Sequence, residues 1–96
     1  MDESLLAEAL PGADLVRLGV ADLARGVESI PALLVAIGAE RLRRCGLTLP
    51  ATLPASPEHR LYDHLAREDS DSAHSRYNAL IRRLVSFERA LECAAR

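Results

Sequence analysis

From Ser72 to about Ala95, apolar residues recur at Ala73, Tyr77, Leu80, Leu84, Phe87, Leu91 and Ala94. Alternating steps of four and three place all seven on one helix face, and no Gly or Pro interrupts the run. A helix of that length is about 35 Å long, long for a small domain, and its stripe has to be covered by the rest of the chain or by a second copy. Upstream, Val16, Val20, Leu23, Val27, Ile30, Leu34 and Ile37 repeat the same spacing, with Gly26 and Pro31 interposed. This predicts a helix from Asp14, its N-cap, to about Arg25. A second helix is entered through Ser29 as N-cap with Pro31 in the first turn, and it ends near Cys45 against Gly46. The uninterrupted stripe suggests that the two are nearly collinear and kinked at Gly26–Ser29.

Ser4–Leu10 predicts a short first helix stopped by Pro11-Gly12, with Leu5, Leu6 and Leu10 able to pack down as a lid. The stretch 46–56 holds Pro50 and Pro54 and reads as a connection, with Leu47, Leu49 and Leu53 lying on the bundle. Ser56-Pro57-Glu58 combines an N-cap, a proline at the first helical position and an acid at the positive helix end. The helix it starts runs to about Glu68 and buries Leu61 and Leu65, with Tyr62 at their side; Asp69–Ser72 then separates it from the long C-terminal helix. The fold class expected is therefore all-α: one domain over 1–96, a small bundle of four to five helices with a long C-terminal amphipathic helix. Gly19 and Gly38 sit inside predicted helices, where glycine costs about 1 kcal/mol against alanine, and close approach between helices is the reason expected for both.

Composition narrows this only in part. Among 96 residues there are three aromatics, and all twelve basic residues are Arg, with no Lys. Small side chains without large rings suit close helix packing. The net charge of −2 does not indicate a general nucleic-acid coat. Cys45 and Cys93 show no metal spacing, and two scattered thiols fit a reducing compartment. The acidic start Met1-Asp2-Glu3 is unlike a signal peptide, and the longest apolar run, Ile30–Ala39, is about half a membrane span. A cytoplasmic protein, not embedded in a membrane, is expected.

The polar residues that could carry function gather on the last helix. His74, Asn78 and Arg82 follow one another at intervals of four, while Arg76 and Arg83 flank the apolar seam on its other side. Asn inside a helix competes for backbone hydrogen bonds, so its place between His and Arg suggests a contact with a partner helix, a phosphate or a buried network. The candidate binding residues are thus His74, Arg76, Asn78, Arg82 and Arg83. Glu58, His59, Asp63, His64 and Glu68 form a second group, but His59 and His64 diverge by about 140° around the helix, so one helix cannot aim both at one ion. No metal, cofactor or assembled catalytic set is expected.

Arg67 and His74 are separated by six residues. The pair resembles the Arg-x4–6-His motif of HEPN-domain endoribonucleases, which are all-helical and often dimeric. The resemblance covers these two positions and the helical class. It implies that Arg67 and His74 would cleave RNA by general acid–base and oxyanion-type chemistry. The intervening Glu68, Asp69 and Asp71 would repel a scissile phosphate.

Together these features point to a non-enzymatic interaction or regulatory protein, acting as a homo-oligomer or as a small partner of a larger protein. The alternatives are the HEPN-like nuclease and a helical nucleic-acid-binding regulator. The second requires the arginines of the last helix to gather on one exposed face.

Overall fold

A computed structural model describes residues 10–94. Five helices lie among them, with no strand: α1 (Ala13–Ala24), α2 (Ile30–Ile37), α3 (Ala39–Arg44), α4 (Pro57–Glu68) and α5 (Ala73–Ala94). The expected first helix and the lid residues Leu5 and Leu6 fall outside the described residues; Leu10 packs half-buried on the core. The all-α bundle with its long C-terminal helix is the observed architecture.

The first departure from expectation is at Gly26. Its φ of 72° ends α1, and the amides of Gly26 and Val27 bond back to the carbonyls of Leu23 and Asp22 at 3.1 and 2.8 Å. This paired back-bonding is a Schellman motif, which a left-handed glycine permits. The chain therefore reverses instead of running on, and α1 and α2 pack side by side as a helical hairpin. Val27, which the stripe placed on the apolar face, is left exposed. Gly19 makes the hairpin possible, since a Cβ there would overlap the Pro31 carbonyl and the Val35 side chain. The predicted close approach is real, but it lies between antiparallel partners.

Ser29 caps α2 as expected, its Oγ accepting from the Ala32 amide at 3.1 Å. Asp14 does not cap α1; the N-cap is Gly12, and Asp14 sits in the first turn. Ser56 precedes α4 at a φ of 48° and makes no side-chain capping bond. The single helix expected from Ser29 to Cys45 is divided at Gly38 into α2 and the short α3. Gly46, at φ 102°, closes α3 with a second Schellman motif, in which Gly46 and Leu47 amides bond to the Arg43 and Leu42 carbonyls.

The core is shared by all five helices: Val16 and Leu23 from α1, Leu33, Leu34 and Val35 from α2, Leu42 from α3, Leu61 and Leu65 from α4, and Ala73, Leu84, Phe87 and Leu91 from α5. Leu47, Leu49 and Leu53 of the connection pack against it, as expected. Along the α5 stripe, Tyr77 and Leu80 are only half-buried and Ala94 is exposed. The chain thus covers the middle of the stripe with its own helices.

Candidate functional site

Helix α5 divides into two sides of opposite character. The inner flank carries both of its acids, and both meet Arg41 of α3. Glu88 is buried, at 4% exposure, and its Oε1 accepts from Arg41 at 3.2 Å. Arg41 also donates to Glu92, from Nε at 2.9 Å and from a second guanidinium nitrogen. Gly38 makes room for this group: a Cβ there would stand 2.6 Å from Glu88 Oε2. Burial pushes the Glu88 carboxyl above the usual carboxylate range, against the Arg41 charge, with Glu92 adding to the rise. Arg41 is held protonated more firmly, chiefly by its hydrogen bonds to Glu92. Burial also raises the Cys45 thiol, with Glu92 next in effect. The sequence reading missed this clamp. Its only trace was the pairing of an interior Gly38 with an acid, Glu88, set beside the seam residue Phe87.

The outward side holds Ser75, Asn78, Arg82, Ser86, Arg89 and Cys93, all exposed and on one stripe. No acid lies on it. Two of the candidate residues are joined here: Asn78 Nδ2 and His74 Nε2 are 3.2 Å apart. Arg82 and Arg89 form no ion pair among the described residues. Arg76 and Arg83 stand nearer the seam and are both paired, Arg76 with Glu68 at 2.8 Å and Arg83 with Asp14 at 3.3 Å. Beside the stripe, Ala79, Arg82, Arg83 and Ser86 border a hollow of about 300 Å³ closed on its far side by Pro11 and Gly12. The five candidate residues therefore do not converge on one point. His74 and Asn78 form a pair near one end, Arg82 and Arg83 flank the hollow, and Arg76 is taken up by α4. Arg67 is exposed near the end of α4 and makes no hydrogen bond to His74.

The second polar group is arranged differently from its one-helix reading. His59 meets Asp63 at 3.4 Å, but His64 turns to Glu28 at 3.1 Å, where Arg60 also donates. Hydrogen bonds from His64 and Arg60 lower the Glu28 carboxyl from its usual range. The arrangement ties α4 to the α1–α2 turn beside a hollow of about 270 Å³ lined by Leu23, Val27, Leu53 and Pro54. Among the described residues no group of three or more His, Cys, Asp or Glu is placed to hold a metal ion, and no helix is long and apolar enough to cross a membrane.

Compared with known proteins, the chain matches no family model, no curated protein and no solved structure.

Proposed function

We propose that this is a non-enzymatic interaction and regulatory protein whose contact surface is the outward side of α5. One observation carries the reading. A helix with both signs of charge has its acids drawn to one flank and held by Arg41, while its outward stripe keeps only basic and neutral polar groups. A solvated face without a partner has no need of such sorting, since mixed charges dissolve a helix equally well. The nuclease reading gains nothing from the geometry: His74 is engaged by Asn78, and the exposed acids Asp69 and Asp71 stand between Arg67 and His74.

A photo-crosslinking residue placed at Ser86, and separately at Ala24 on α1, tests this in cells. Adducts formed from position 86 and not from 24, and lost when Arg82→Glu is added, are the result expected. Equal labelling at both positions, or none, overturns the reading. Purified protein sedimented alone reports whether a second copy is the partner. RNA cleavage by the purified protein that disappears in His74→Ala would put the nuclease in its place.

A further inference from the structure

We propose that the partner of the α5 face is duplex DNA, with α5 seated in the major groove and its arginines on the backbone phosphates. The proposal rests on the reading of α5 as the contact surface and adds the occupant.

Charge complementarity is the first support. From Asn78 to Arg89 the exposed stripe has two guanidinium groups that form no ion pair among the described residues, and no carboxylate, although the whole chain is acidic. A polyanion is the occupant that such a stripe attracts, and phosphate contacts supply most of the affinity of proteins for nucleic acid.

Dimensions are the second support. Arg82 and Arg89 are seven residues apart, about 10.5 Å along the helix axis. The major groove of B-DNA is about 12 Å wide and admits one α-helix. With α5 lying along the groove, two long arginine side chains leaving the same face reach phosphates at two points along it. Between them the stripe presents Ser86, small and able to donate or accept, and Asn78 stands one turn beyond Arg82. Neither blocks entry, and both can bond a base edge. The deep, narrow major groove of A-form RNA does not admit such a helix.

The hollow between α5 and Pro11–Gly12 is the third. Arg82, Arg83 and Ser86 all border it, so a backbone phosphate there would meet two guanidinium groups and a hydroxyl. Arg83 would trade its bond with Asp14 for the phosphate. That ion pair is 3.3 Å long with both side chains half-exposed or more, so breaking it costs little. At the start of α5 stand three exposed acids, Glu68 on Arg76 and Asp69 and Asp71 in the preceding turn. They keep the His74 end off the duplex and set which part of the helix makes contact.

Two neutralised phosphates, one in the hollow and one at Arg89, give a slope of log K against log salt of about −1.8. Fluorescence anisotropy with a labelled mixed-sequence DNA duplex of about 20 base pairs, over a salt series starting near 50 mM, measures it. The expected result is saturable binding with that slope. The double substitution Arg82→Ala with Arg89→Ala should weaken binding at least tenfold and make the slope shallower by about 1. Arg60→Ala, which removes one positive charge on α4, should leave the slope unchanged. Circular dichroism checks that each variant keeps its helix content. No saturable binding, or binding indifferent to the double substitution, overturns the proposal. A matching RNA duplex or a polyglutamate chain bound more tightly than DNA, with the same arginine dependence, also overturns it while leaving α5 as a contact face. If the arginines matter for none of the three probes and the crosslinks at position 86 are absent, the interaction reading falls with it.

Discussion

The α1–α2 hairpin and helix α5 use the same amphipathic spacing and end in different situations. In the hairpin the spacing is accompanied by small residues, and two helices come close enough that Gly19 touches the Pro31 backbone. The turn between them is fully engaged: Ser29 Oγ donates to Asp22 at 2.6 Å while Arg25 holds the other carboxylate oxygen. Helix α5 has large side chains on its seam, and half its circumference is open. Tolerance to substitution should differ accordingly. The hairpin has no space to give, while α5 has an inner side that is core and an outer side that is exposed.

The largest effect should come from the inner side of α5. Leu84→Ala and Phe87→Ala remove side chains buried at 3% and 0% exposure, and each should cost about 2–5 kcal/mol in urea unfolding. A loss below half a kcal/mol would show that the seam is not core. Next comes the hairpin: Gly19→Ala should cost about 1–3 kcal/mol, because the added methyl meets backbone that cannot rotate away. If Gly19→Ala is neutral, the contrast between the two regions disappears. Ser29→Ala removes the cap of α2 and the bond to Asp22, and should cost about 1 kcal/mol.

Titration separates the regions by sign. Hydrogen bonds from Ser29 and then Arg25 lower the Asp22 carboxyl. Its contribution is present above the ordinary aspartate value and lost as pH falls through the lowered folded value. Glu88 behaves oppositely. Its raised carboxyl favours the protonated folded state, so stability falls as pH rises from the ordinary glutamate value through the raised one. Glu88→Gln should abolish that loss, so that its stability relative to the parent increases as pH rises above the ordinary glutamate value. A difference that is constant with pH would remove the buried carboxylate from the account. The smallest effect belongs to the outer side: Arg82→Ala and Arg89→Ala should each change stability by less than about 0.5 kcal/mol.

Periodicity made the helices and their buried faces legible: Leu84, Phe87 and Leu91 lie in the core, and so do Leu61 and Leu65. The turns at Gly26 and Gly46 were also marked by their residues, because a left-handed backbone selects glycine. The direction in which the chain left those turns was not marked. One stripe of apolar residues serves a kinked helix and a hairpin equally, and only packing of Gly19 on Pro31 and Val35 chose the hairpin. The same holds at the site. Sequence spacing assembled His74, Asn78 and Arg82 on one side, since i and i+4 neighbours are local geometry. The Arg41–Glu88–Glu92 clamp joins residues about fifty positions apart, and no local pattern encodes such a contact. Short-range spacing therefore determined which face of each helix is apolar and which residues share a stripe. Tertiary structure alone decided that the acids of α5 turn to Arg41 while its outer arginines form no ion pair among the described residues, because burial and long-range pairing exist only once the helices have docked.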